Sequence, residues 1–192
     1  IDCGTGSGPM MEAARMIAKS GAKPKRTILF IGFAGEEFGL LGAQAWVKAH
    51  KDKLPKIANL FNRDGGPEPP VGISVPQAMY DDFVKISEPI QKIRPDYPFE
   101  VKVREPRKRP TRMGGTDASV FAIEGVPTLG FTTEDFKGYD FDYGEIWHTE
   151  RDLYTKNIPE YQEHTATVTA IIALGVANLD KQLSREGLYT EE

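Results

Sequence analysis

The segment Thr27 to Gly42, TILFIGFAGEEFGLLG, constrains the fold most, because an apolar run leads straight into two adjacent carboxylates, Glu36 and Glu37. Ile28, Leu29, Phe30, Ile31 and Phe33 form a near-continuous hydrophobic stretch, the pattern of a strand covered on both faces in a parallel sheet. A helix carrying Leu40, Leu41 and Trp46 follows, so the acids fall in the turn at the carboxyl end of the strand, where such sheets place their ligand sites. Adjacent carboxylates repel and raise each other's pKa. A bound cation relieves the repulsion: one carboxylate coordinates it while its neighbour stays free to move protons. The competing explanation is that both acids decorate a helix N-terminus, where the dipole favours them. The segment alone does not separate the two.

Further donors recur at the ends of apolar runs. Ile57 to Asp64, IANLFNRD, reads as a strand that delivers Asp64 just before Gly65-Gly66, and Val126 to Phe131, VPTLGF, reads as another, after the segment GGTDASVF that contains Asp117. His148 lies in WHTERD, in a loop rich in aromatic and acidic residues from Phe136 to Glu150. At the start of the sequence, IDCGTGSG sets Asp2 ahead of a glycine-rich turn and a helix. Taken singly, Asp2 and Asp64 suit a cap or turn, and His148 suits an ordinary loop. Together, Asp, Glu, Asp and His from four separated loops are the oxygen and nitrogen donor set that zinc accepts in catalytic sites.

Strand patterns alternate with helical ones, which predicts an α/β layered domain. Helices are expected over Pro9–Ser20, Leu40–Lys51, Ala78–Ile93, Asp117–Ile123 and Pro159–Leu183, with further strands at Val71–Val75 and Phe99–Val103. No internal repeat or low-complexity linker interrupts the 192 residues, so one domain is expected. A net charge of −4 gives no basic footprint for nucleic acid, and no apolar run approaches a bilayer's thickness. The single cysteine, Cys3, excludes an internal disulfide framework; a metal-ligand role beside Asp2 is conceivable, but a small buried residue is the expectation. His50 and His164 are expected to be ordinary surface histidines. The basic run Lys102 to Arg112 reads as a solvated loop bordering GGTD, and SREGLYTEE at the end reads as loosely packed. The stretch Phe136 to Trp147 fits either a wall of a substrate pocket or simple packing of a long loop.

The motifs IDCGTGSG, AGEEFGLLG, NRDGG, GGTDASVFAIEGVP and WHTERD, in this order and spacing, resemble the co-catalytic di-zinc aminopeptidases, whose relatives include carboxypeptidase Q, glutamate carboxypeptidase and the glutaminyl cyclases. The resemblance covers essentially the whole chain and implies a three-layer α/β sandwich with a central mixed, mostly parallel sheet flanked by helices. It implies that Asp2 bridges two zinc ions, that Glu37 and His148 complete one site, that Asp64 binds the other ion, and that Glu36 is the general base. Asp117, and with less weight Asp152, match positions that orient ligands. Relatives supply a further histidine from a strand upstream of the glycine-rich turn, so residues 1–192 read as the carboxyl-terminal part of a catalytic domain, with the second site short of one ligand. The implied activity is hydrolysis of peptides from the amino end, with dipeptidase, carboxypeptidase, cyclase or non-catalytic roles as alternatives. A periplasmic or extracellular setting follows from the resemblance alone.

Overall fold

The computed structural model describes residues 1–190. Six helices, α1 (Gly4–Lys19), α2 (Leu41–Ala49), α3 (Tyr80–Ile93), α4 (Ala118–Ile123), α5 (Tyr143–Ile146) and α6 (Pro159–Asn178), alternate with five short strands. The strands are β1 (Leu60–Phe61), β2 (Pro70–Val75), β3 (Glu100–Val103), β4 (Thr128–Leu129) and β5 (Phe131–Thr133). β1 pairs in parallel with β4, and a second sheet runs β3-β2-β5, parallel between β2 and β3 and antiparallel between β2 and β5. Mixed, mostly parallel sheets flanked by helices are the α/β class that the alternating pattern predicts.

The main core lies between β2, α3 and α6, where Ile73, Val75, Phe83, Ile90, Val168 and Ile172 are buried. α6 and α3 approach so closely that a Cβ on Gly175 would lie 2.4 Å from Cγ2 of Ile86. A second cluster, with Leu40, Val47, Val120 and Phe121, joins α2 to α4. A third joins α1 to α6 through Ala13, Ile17 and Ala170. Phe33 packs on the second cluster while Ile28 and Phe30 pack on the third, so this segment ties the two together.

Several expectations need correction. The run Ile28 to Phe33 belongs to no helix or paired strand among the described residues, and Leu29 is 64% exposed, so it is not covered on both faces. Hydrophobicity reports a wish for burial; a strand also needs a neighbour's backbone to bond with. For the same reason Ile57 to Asp64 keeps only the two residues of β1, and Val126 to Phe131 divides into β4 and β5. α1 begins at Gly4, five residues before the expected start, and α6 stops at Asn178 rather than Leu183.

His164 is not on the surface: it is fully buried, stacked on Tyr97 at 4.0 Å between ring centroids, with Nε2 3.1 Å from the Pro70 carbonyl oxygen. His50 is half-buried at the end of α2, stacked on Trp46. The terminal segment is also better held than expected: Leu183 and Leu188 join the main core, and Arg185 donates to the carbonyls of Pro55 and Ile57. Nor is the basic run merely solvated, since Arg107 donates to Thr128 O at 2.7 Å and Arg109 to Ile123 O at 3.0 Å. Arginine's forked donors satisfy loop carbonyls that would otherwise lie unpaired.

The aromatic loop packs at its start and opens towards a cavity at its end. Phe136 stacks on Tyr161, and Glu160 accepts hydrogen bonds from Tyr97, Lys137 and Tyr139, which fastens the loop to the first turn of α6. Those three donors hold the Glu160 carboxyl down at about 2.

Candidate metal centre

Asp2 and Asp64 are brought together by the glycine-rich start of α1. Thr5, 4% exposed, donates from Oγ1 to Ile1 O at 2.9 Å and to Gly65 O at 3.0 Å, which binds the Asp2 turn to the NRDGG turn. A Cβ on Gly6 would lie 2.4 Å from Arg63 O, so only glycine permits this approach. Arg63 in turn closes the NRDGG turn, donating to Gly66 O at 2.7 Å and Glu68 O at 2.6 Å. The paired glycines serve the aromatic loop: a Cβ on Gly66 would meet Phe141 Cε1 at 2.8 Å and Tyr143 Cδ2 at 3.1 Å.

The glutamate pair sits in a tight turn. Gly39 and Leu40 both donate backbone N–H groups to Glu36 O, and Gly42 donates to Ala34 O at 2.8 Å. Gly39 (φ 101°) and Leu40 (φ 61°) are left-handed, and a Cβ on Gly42 would fall 2.6 Å from Ala34 O. This compact turn presents Glu37 to His148, whose Nε2 lies 3.0 Å from Glu37 Oε2. His148 is itself left-handed (φ 56°), a conformation that histidine adopts at modest cost and that recurs at functional positions.

Two donor groups result. Asp2, Glu37 and His148 form one, and Asp2, Cys3 and Asp64 the other; in each, one donor atom per residue lies within 4.8 Å of the rest. Asp2 belongs to both. Four of the expected residues, Asp2, Glu37, Asp64 and His148, are therefore gathered, with Glu36 beside them but outside either group. Cys3 departs from expectation, since it is exposed rather than buried. Asp152 accepts a hydrogen bond from the Asp2 backbone N at 3.2 Å, so it steadies the turn that carries Asp2. Asp117 stands at the N-terminal end of α4 without a side-chain capping hydrogen bond, is 8% exposed, and has an Oδ1 without a hydrogen-bond partner.

The charges are mutually opposed. Burial first, then Asp64, Glu37, Asp117 and Asp2, pushes the Glu36 carboxyl above its ordinary value. Burial, Asp2 and Glu37 do the same to Asp64, and burial and Asp64 do so to Asp117. Among the described residues, none of Asp2, Glu36, Asp64 and Asp117 has a lysine or arginine partner. Carboxylates gathered without a counter-charge are what a divalent cation would stabilise, and the oxygen and imidazole donors suit zinc.

Tyr143 is the neighbour that sequence reading did not single out. Its ring packs on Gly65 and Gly66, and burial followed by the Asp2 carboxylate pushes its phenol well up. The only sequence signal was its place in an aromatic loop of ambiguous role. With Asp64, Gly66, Glu68, Thr133 and Phe141 it lines a cavity of about 230 Å³ beside the donor groups.

Known proteins share this arrangement of chain. The description of peptidase family M28 matches residues 1–172. Carboxypeptidase Q of Mus musculus is 24% identical over 190 residues, an alignment covering 96% of this chain and 36% of that protein. A probable zinc metalloprotease of Pyrenophora tritici-repentis is 42% identical over 64 residues, 33% of this chain and 14% of the relative. The crystal structure of a peptidase M28 precursor from Shewanella amazonensis superposes with a TM-score of 0.74 at 26% identity, covering 96% of this chain and 39% of that one. A zinc aminopeptidase from Bacillus subtilis shares the fold, with a TM-score of 0.61 at 18% identity over 98% of this chain and 44% of its own. The chain thus spans little more than a third of the length of the curated carboxypeptidase Q relatives. A match across 172 residues, on a fold whose loops gather the acidic and imidazole donors, leads to one conclusion: the chain belongs to peptidase family M28.

Proposed function

We propose that this chain carries the metal ligands and general base of a zinc-dependent exopeptidase that removes amino-terminal residues from peptides. The observation that carries the reading is that Asp2 is shared by two donor groups while Glu36 stands next to both and joins neither. Asp2, Glu37 and His148 would hold one zinc ion, and Asp2 with Asp64 would hold a second. Zinc at these positions supplies a Lewis acid that polarises the scissile carbonyl and lowers the pKa of water.

The chain's own residues do the rest. Glu36 accepts a proton from the attacking water and returns it to the leaving amine. Asp152 holds the Asp2 backbone, and Asp117 adds negative charge beside Asp64 that favours a bound cation. The cavity next to Asp64 receives a substrate side chain between Tyr143, Phe141 and Glu68. An exported setting accompanies this reading, in line with the precursor label on the Shewanella relative.

A second reading, carboxypeptidase or dipeptidase action, is favoured by the alignment with carboxypeptidase Q across 96% of the chain. Hydrolysis of free peptides against N-blocked and C-amidated counterparts, in the polypeptide that carries this chain, separates the readings: aminopeptidase action loses only N-blocked substrates, carboxypeptidase action only C-amidated ones, and dipeptidase action both. Glu36→Gln tests the chemistry common to both. A fall in kcat of at least about a hundredfold with zinc content unchanged supports the general base, and a change within a few-fold refutes it.

A further inference from the structure

We propose that the cavity beside Asp64 selects peptides whose first residue is lysine or arginine, with Glu68 as the carboxylate that receives the cationic head. The inference rests on the aminopeptidase reading above and goes beyond it by naming the substrate class. The cavity, about 230 Å³, is lined by Asp64, Glu68, Thr133, Phe141, Tyr143 and the rest of the NRDGG turn. It is smaller than the roughly 300–1,000 Å³ of pockets that enclose a drug-sized ligand, so it suits one side chain rather than a longer stretch of peptide.

Neighbours fix Glu68 in place without neutralising it. Pro67 and Pro69, both buried, flank it, and their carbonyl oxygens accept from Gln162 Nε2 at 3.2 Å and from the Glu134 backbone N at 3.4 Å. Thr133, on β5, donates from Oγ1 to Glu68 Oε2 at 3.2 Å. A carboxylate held in this way has little freedom left to lose when a ligand arrives. Among the described residues, no lysine, arginine or histidine lies within ion-pair distance of it. Arg63 is near enough to feel the Glu68 charge, but its Nη2 is spent on the carbonyl oxygens of Gly66 and Glu68. With Asp64 committed to metal, Glu68 is the acid of this cavity that remains for a substrate side chain.

The other walls are aromatic. Phe141 and Tyr143 pack over the paired glycines, with Tyr143 Cζ 3.6 Å from where a Cβ on Gly65 would lie. Rings together with an acid fit lysine and arginine, whose apolar stems lie along aromatic faces while the charged head reaches the carboxylate. An acidic side chain would set a second negative charge against Glu68, and an apolar one would strip water from the carboxylate without replacing it.

Free-amine tripeptides X-Ala-Ala, with X lysine, arginine, norleucine or glutamate, test the assignment in the zinc-loaded polypeptide that carries this chain, with kcat/KM read from release of the first residue. Norleucine keeps the lysine stem without its charge. Lysine and arginine should exceed norleucine by at least about tenfold, the worth of a hydrogen bond to a charged group, and glutamate should be the poorest. In Glu68→Gln the lysine-to-norleucine ratio should fall by about tenfold or more, and Glu68→Lys should turn the preference towards glutamate. Circular dichroism verifies the fold of each variant, and the native profile carries the test if neither folds. Norleucine cleaved as well as lysine, or a lysine preference that Glu68→Gln leaves intact, would overturn the assignment while the aminopeptidase reading stands. A native preference for glutamate would also overturn it and give the cavity to Arg63. Release of the first residue from none of the four would overturn both.

Discussion

At the scale of single residues, burial decides which titratable groups act on stability and which on chemistry. His164 illustrates the first: burial, opposed by the Pro70 carbonyl and Asp96 and reinforced by Arg94 and Lys137, lowers its pKa from 6.5 to about 4. The folded protein therefore binds this proton more weakly than the unfolded chain, so His164 contributes stability that is complete above pH 6.5 and is lost as pH falls towards 4. The full effect is on the order of 3 kcal/mol. Denaturant unfolding across that range should show the loss in the native protein and a smaller one in His164→Gln; identical pH slopes would exclude His164 as the source. Sequence could not reveal this, because a histidine among Thr and Glu in a helix reads as surface until the Tyr97 ring is seen lying on it. The site residues were more legible. Glu37 and Asp64 are acids at turns after apolar runs, and Asp2 and His148 stand in the short motifs IDCGTGSG and WHTERD, all visible in one dimension, whereas Tyr143 and the exposure of Cys3 depend on how the loops fold over one another.

At the scale of elements, the turn between the Ile28–Phe33 segment and α2 carries the most constraint. Its glycines were legible as a motif, but their reasons are three-dimensional: Gly42 lies where a Cβ would sit 2.6 Å from Ala34 O and 2.7 Å from Ala34 N. Both contacts are backbone, so no side chain can swing away to relieve them. Gly42→Ala should destabilise the protein by about 1–3 kcal/mol, the usual cost of overpacking, and should weaken zinc binding because the same turn presents Glu37 to His148. Thermal unfolding and zinc titration of the variant measure the two effects; native values for both would mean that the turn relaxes freely. Helices and strands were each legible in part: β2 and β3 lie within one residue of expectation, whereas α1 starts and α6 stops five residues early and α5 was not expected. Amphipathic spacing lies within the element itself, so α2, α3 and α4 fall within two residues of expectation at each end. A strand exists only through its partner, and the apolar run Ile28 to Phe33 finds none among the described residues.

At the scale of the whole molecule, the fold converges four loops on one small region while its three apolar clusters hold those loops from behind. Asp2 enters ahead of α1, Glu37 ahead of α2, Asp64 after β1 and His148 after α5. Convergence from such distant positions is not readable from periodicity; it was legible only because the motifs occur in a familiar order. Burial first, and then the neighbouring carboxylates, raise the pKa of Glu36, Asp64 and Asp117, and no lysine or arginine among the described residues pairs with them. Cation binding is therefore the central claim, and it is most directly tested by calorimetric zinc titration of the chelator-stripped chain beside Glu37→Ala and His148→Ala. The native chain should bind zinc tightly, and each variant should lose more affinity than the roughly 10- to 100-fold expected for an outer-shell change. Zinc affinity that is absent from the native chain, or that both substitutions leave untouched, would contradict it.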